Sequence, residues 1–277
     1  MNLFGRRVAT QFAIPGASTG VRLEGLRTSF RVEHTAARAP SKATIAIYNA
    51  SLATRSRISD ERAEVRLFAG YDPAPRLVFV GTPVRGGIQL VTQGPDRILR
   101  IDATDGGRAF SAVTLRLAYT QGTMVSQVVT DILAQTGWGR GAIAPIPGTF
   151  RKAAVLVGRP MELIARLAAR IQASVFVRDN ALYIVPRGQA TQETAFPIST
   201  ARGNLIGSPV STKEGVRVRT LIDATLRPGR LVQIRTGITP APVPDGAYVV
   251  RDAVFTGDSG FAASYYVDLV CRPVGAR

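Results

Sequence analysis

The chain has 277 residues, a formal net charge of +16, 45% hydrophobic residues, one cysteine (Cys271) and one histidine (His34). That length and apolar content can bury one large core or two to three smaller ones, and they exclude a disordered chain. One Cys and one His exclude an internal disulfide framework, Cys-based zinc or iron–sulfur centres and His-rich metal sites.

The only lysines are Lys42, Lys152 and Lys213, so arginine carries the charge. The arginines are spread along the chain with no basic run, which favours a solvated surface over a dedicated contact with DNA, membrane or an acidic partner. The stretch 8–20 is broken by Thr10, Gln11 and Pro15, too polar for a signal-peptide core. No stretch reaches the ~18 uninterrupted apolar residues of a membrane-spanning helix, so no membrane insertion is expected.

The first third predicts β structure. Phe30 and Val32 share one side of Arg27–Val32, Ile45 and Ile47 one side of Ala43–Tyr48, and Val65, Leu67 and Ala69 one side of Glu64–Ala69. Leu77–Val80 and Arg97–Ala103 continue the alternation, and turn signals at Asn49–Ser51, Gly70–Pro73, Arg85–Gly87 and Gln93–Asp96 divide the runs. Short, regularly punctuated strands predict a small antiparallel barrel or sandwich, with one helical turn within Leu52–Asp60.

The middle changes period. Val125, Val128, Val129, Ile132 and Leu133 form one helical stripe, which Thr123 is expected to cap and Gly137 to end. Gly139–Gly148 reads as a loop. A second helix opens near Pro160 and carries Leu163, Ile164, Leu167, Ala168 and Ile171. Ser174–Val177 and Ala181–Pro186 flank the turn Arg178-Asp179-Asn180 and predict a hairpin. Gly188–Thr194 reads as a linker. The last third returns to β with Val216–Leu221, Leu231–Ile234, a proline-rich loop at 239–246, and a closing hairpin of Ala247–Phe255 and Phe261–Cys271.

Gly257-Asp258-Ser259-Gly260 matches the surroundings of a trypsin-like serine nucleophile, but that chemistry needs a base and an orienting acid, and His34 has no supporting signature. A turn between strands explains the four residues. Asp102 and Asp105 are the candidate carboxylate pair, with strand-end turn chemistry as the simpler reading. His34 beside Glu33 reads as a strand residue rather than a base. Cys271 reads as a small core residue, and Trp138 as packed beneath its loop or against a partner. Gly137-Trp138-Gly139-Arg140-Gly141 follows a helix, not a strand, so it is no dinucleotide loop. Aromatics are 7% of the chain, thin for base stacking. No catalytic, cofactor-binding or metal-ligating residue is assigned, and no cofactor is expected.

Several phrases stand out when taken together. One is Lys42–Ser51 followed by Thr54-Arg55, an apolar strand running into Tyr-Asn and Thr-Arg. Another is Val65–Tyr71 followed by Leu77–Gly81. A third is Ile206–Pro209, Gly215-Val216 and Leu226–Gly229, followed by Tyr248–Val250 and Gly257–Ser259. Together these phrases resemble the baseplate or tail-hub proteins of tailed bacteriophages, the last two their closing hairpin.

The resemblance implies a mainly β chain with an α+β middle, in which two small tail-tube-like antiparallel β-barrels (1–108 and 188–277) flank a domain of two helices and a hairpin (109–187). It implies a non-enzymatic structural protein of the virion. Three copies would form a pseudo-sixfold ring that joins the sixfold tail tube to a threefold spike or central fibre and continues the tail channel. Implied partners are two further copies, the tail tube or distal tail protein, the spike or fibre protein and the tape-measure protein, with DNA passing non-specifically. Assembly would take place in the host bacterial cytoplasm. The rival readings are a tail-associated cell-wall hydrolase, resting on Asp102, Asp105 and His34, and a basic nucleic-acid-binding module, resting on the charge.

Overall fold

A computed structural model of the chain describes residues 5–13, 20–58, 62–73, 75–105, 113–191, 194–237, 243–260 and 264–275. Gly106-Gly107, Asp60, part of the 188–194 linker, residues 239–242 and Phe261 lie outside the described residues.

The protein is mainly β. The first third comprises β1 (Arg6–Ala13), β2 (Val21–Glu24), β3 (Thr28–Thr35), β4 (Lys42–Tyr48), helix α1 (Leu52–Ile58), β5 (Glu64–Tyr71), β6 (Arg76–Gln93) and β7 (Asp96–Thr104). The middle holds β8 (Leu115–Tyr119), α2 (Val125–Thr136), β9 (Gly139–Ile143), β10 (Ala154–Gly158), α3 (Pro160–Ala168), β11 (Ala173–Arg178) and β12 (Ala181–Pro186). The last third supplies β13 (Phe196–Ser199), β14 (Leu205–Thr212), β15 (Gly215–Leu221), β16 (Leu231–Arg235), β17 (Gly246–Asp258) and β18 (Tyr265–Pro273).

Strands of the first and last thirds enter one thirteen-stranded sheet. Its main path runs β14-β15-β18-β17-β3-β4-β7-β6-β5-β1-β2, and β16 and β13 branch from β17. The seam is the antiparallel pair β3–β17, from Asp252 opposite Thr35 to Asp258 opposite Ser29. An apolar row crosses it unbroken: Val267, Phe255, Val32, Ala43 and Ala103 are successive cross-strand neighbours. All five are buried, and each large member contributes about 1.5–3 kcal/mol. The two thirds share one continuous core as a result. No closed barrel is detected among the described residues.

Two long strands turn corners, as bulges permit. The first part of β6 pairs with β5 and its second part with β7, with the register shifting between Pro83 and Ile88. Arg85-Gly86-Gly87, expected as a turn, is the bulge within this one strand. Gly86 takes φ +69°, and Gly87 lies where a Cβ would sit 2.5 Å from the Asp102 carbonyl oxygen. A similar shift between Val250 and Asp252 bends β17.

The middle has its own core, built from α2, α3, a two-stranded ribbon and a three-stranded sheet. Gly137 ends α2 in the left-handed conformation and donates to Leu133 O, as its position after the stripe predicts. The N-cap is Met124 rather than Thr123, without a side-chain cap bond. The Thr123 carbonyl instead accepts from Phe150 N–H (2.9 Å). Pro160 opens α3, and Asp179 and Asn180 turn the β11–β12 hairpin with φ +51° and +58°. Part of the expected 139–148 loop is β9, paired in parallel with β12.

Candidate functional site

The residues with chemical potential are held in structural roles. His34 is buried on the inner face of β3. Its Nε2 lies 2.9 Å from the Val78 carbonyl and its Nδ1 3.1 Å from Ser41 Oγ. A carbonyl only accepts, so Nε2 carries the proton and the Ser41 hydroxyl donates to Nδ1. Burial foremost, and then the nearby Arg227, push the imidazole pKa down to about 3. The ring meets Phe255 edge-on at 5.7 Å. His34 is a neutral core residue with both nitrogens engaged.

Asp102 and Asp105 lie on the same strand end and do different work. Asp102 is on the outer sheet face, accepting from the Thr44 hydroxyl (2.6 Å) and pairing with Arg100 (3.2 Å). Asp105 is buried, and its carboxylate accepts from the backbone N–H groups of Asp179 (2.9 Å) and Asn180 (3.1 Å). The strand-end reading of this pair misses the role of Asp105 as the anchor of the middle hairpin.

The Gly257–Gly260 motif closes β17. The Asp258 carboxylate binds Arg27 (3.0 Å) and accepts from Gly260 N–H (2.8 Å), while Ser259 Oγ accepts from Thr28 N–H (3.0 Å). His34 is committed to Ser41 and Val78 and does not serve Ser259 as a base. Gly257 faces Phe30, whose ring occupies the space of a side chain: a Cβ would lie 2.3 Å from Phe30 Cζ. Cys271 is fully buried, and burial raises its thiol pKa to about 12. Trp138 is buried in the middle core beside the loop that carries it. Among the described residues no group of His, Cys, Asp and Glu is arranged to hold a metal ion, and no helix is long and apolar enough to cross a membrane.

Two assemblies of residues remain, and sequence reasoning missed both. One is a buried polar junction. The Arg227 side chain, 6% exposed, donates to the Ala224 carbonyl (2.9 Å), the Leu77 carbonyl and the Asp179 carboxylate. Arg178 donates to the Pro228 carbonyl (3.1 Å) and to Tyr183 OH (2.9 Å), lying over the Tyr183 ring. Ser41 completes the link: its carbonyl accepts from Asp105 N–H and its hydroxyl donates to His34. First third, middle and last third therefore meet in one hydrogen-bonded knot.

The other is the outer sheet face. Tyr266, Thr256, Arg31, Thr44 and Asp102 form one cross-strand row, and Arg219, Asp268, Val254, Glu33 and Lys42 form the next. Both rows cross the β3–β17 seam. A shallow groove of about 460 Å³ lies on this face, lined by Ser29, Arg31, Thr44, Ala46, Thr256 and Asp258. Arginines pair with acids two residues away on the same strand: Arg22–Glu24, Arg31–Glu33, Arg66–Glu64 and Arg100–Asp102. The period of two puts both partners on one face, a spacing visible in the sequence. Each exposed pair contributes only about 0–1 kcal/mol.

The baseplate hub gp41 family matches the chain over residues 7–268. No curated protein matches it in sequence. Among solved structures, it is similar to a 43 kDa tail protein of prophage MuSo2 from Shewanella oneidensis, with TM-score 0.68 and 9% identity, covering 97% of this chain and 98% of the other. A tail protein of Neisseria meningitidis gives TM-score 0.65 at 9% identity over 98% of both chains. An Escherichia coli component of the type VI secretion system, described as structurally similar to the T4 tail proteins gp27 and gp5, gives 0.64 at 13% identity, covering 95% and 76%.

Proposed function

The chain belongs to the baseplate hub gp41 family, and from that premise we propose that it assembles as a trimeric ring at the tip of a phage tail. It is a tail-type structural protein of the virion. In the proposed ring, residues 1–108 and 188–277 each act as one tube-like barrel unit and 109–187 as a third domain. Three copies then present six similar units to a sixfold tail tube and three middle domains to a threefold spike or fibre. The tape-measure protein and DNA would pass through the centre, and assembly would precede release from the host cytoplasm.

The observation that carries this reading is the β3–β17 seam. It fuses the two β thirds into one plate whose residue rows run across the join without a break in register. A ring of such plates needs one continuous polar face toward its channel, and the paired, hydrogen-bonded outer face suits contact with water and moving chains. No catalysis is proposed, because the residues on which an enzyme reading rests are engaged in packing and hydrogen bonds.

The test is native mass across protein concentration and salt, with negative-stain averages of the same sample. Particles of three times 29.5 kDa with a central hole are the expected result. A monomer under every condition, with tail-tube protein added, would refute the ring while leaving the family membership intact.

A further inference from the structure

The middle unit carries an unfinished sheet. β8 and β10 pair only with each other among the described residues. The inner face of the ribbon, with Leu115, Leu117 and Tyr119, packs into the middle core. On the outer face Val155 lies opposite Ala118 and Val157 opposite Arg116. Val155 is 70% exposed and Val157 49%, an unusual position for β-branched residues on an edge strand without a charged side chain of its own.

The surroundings of this edge are cationic. Arg151 and Lys152 stand just before β10, separated from it by Ala153, Arg159 immediately follows it, and Arg116 stands on the neighbouring strand; all four are exposed. None of them forms an ion pair among the described residues. Glu162, near Gly158, is the acid at this end of the ribbon. A second copy is a poor occupant. Antiparallel pairing through β10 would bring Arg151 and Lys152 of one copy against Arg159 of the other, and parallel pairing would set Arg151 and Lys152 against themselves. Both put like charges in register.

We propose that β10 is a docking edge for an extended segment of a partner protein in which a short run of β-branched residues is flanked at both ends by carboxylates, added as a third strand. Main-chain hydrogen bonds along Ala154–Gly158 hold the strand, Val155 and Val157 cover its apolar side chains, and the four cations meet its acids.

Amide hydrogen exchange of the full chain tests this with two capped heptapeptides, one with a central valine run flanked by glutamates and one with the same run flanked by lysines. The glutamate peptide is expected to slow exchange at 154–158 by about tenfold at saturation, and the lysine peptide to leave it unchanged. Added salt should weaken the protection. Arg151→Glu/Lys152→Glu should abolish it, and so should Val155→Ser/Val157→Ser, whose exposed positions leave the fold intact. The proposal fails if the glutamate peptide gives no protection, if both peptides protect equally, or if protection follows protein concentration alone and so reports a second copy.

Discussion

Replacing Arg227 with methionine is expected to destabilise the protein by about 3–5 kcal/mol. The guanidinium serves the Leu77 and Ala224 carbonyls and the Asp179 carboxylate from a site that is 6% exposed. The Ala224 carbonyl, buried, and the Leu77 carbonyl, half-buried, lose this donor at a cost of about 1–3 kcal/mol each. Asp179 is 34% exposed, so water replaces part of its lost partner and it adds less. Methionine fills much of the stem volume, which keeps the cavity contribution small. At about 3 °C per kcal/mol for a chain of this size, the midpoint should fall by about 10 °C. The defect should also be directional. The lost contacts tie the middle core to the sheet core, so urea unfolding followed by hydrogen exchange should show the middle unit opening first, with Asp179 and Asn180 amides exposed early. Arg227→Lys keeps the charge but not the fork, and should fall between wild type and methionine. A loss below about 1 kcal/mol, or one cooperative transition with unchanged exchange at 179 and 180, would refute the view that this knot holds the three thirds together.

Three further expectations concern single residues. The His34 pKa is lowered by burial to about 3 in the folded chain, so the unfolded state binds more protons between there and about 6.5. Stability should therefore rise with pH across that window and be lost as pH falls through it, a slope that His34→Gln should remove in urea titrations at several pH values. Gly257→Ala would place a Cβ 2.3 Å from Phe30 Cζ and should cost about 1–3 kcal/mol; Phe30→Leu in the same chain should recover part of the loss, and purely additive losses in thermal melts would contradict the steric account. Cys271, fully buried with its thiol pKa raised to about 12, should resist a thiol-specific reagent in the native protein and react once urea unfolds it. Rapid native labelling would count against its place in the core.

The strands that pack one face against the core were legible because their side chains alternate: Phe30 and Val32 in β3, Ile45 and Ile47 in β4, and Val65, Leu67 and Ala69 in β5 are all buried. The α2 stripe and its glycine stop were legible for the same reason, with a helical period. The resemblance to tail hubs placed the chain in the right class of protein. β9 was not legible, because Gly-Arg-Gly-Ala-Ile has no alternation and its partner lies some forty residues further on in β12. The glycines at 86 and 87 signal a break in either case, and only the partner strand decides between turn and bulge. The junction was invisible for a stronger reason. His34 meets Val78, Asp105 meets Asp179 and Asn180, and Arg227 meets Leu77, and these long-range pairings are set by topology, not by local pattern.

The charge, spread evenly in the sequence, is uneven in its use. Residues 109–187 hold nine basic side chains against three acids, Asp131, Glu162 and Asp179, whereas the rest of the chain holds twenty-six against sixteen. On the sheet, several arginines are matched, by acids two residues along the strand or across from it, as in Arg219–Asp268 (2.7 Å) and Arg251–Glu214 (2.7 Å). In the middle unit, Arg178 is spent on the junction, and Asp131 is spent on the Tyr119 hydroxyl and Gln127. The cations around the ribbon form no ion pair among the described residues, and Glu162 is the acid at one end of it. Paired charge on a surface gives solubility with little long-range field, whereas unpaired charge steers association. The paired arginines of the sheet are therefore electrically quiet, and the cations around the ribbon are the ones placed to attract. Charge reversal at Arg31 or Arg100 should leave partner binding nearly unchanged, while reversal at Arg151 and Lys152 should slow association with an acidic partner. Equal effects at the two places, measured as association rates at low and high salt, would remove the distinction.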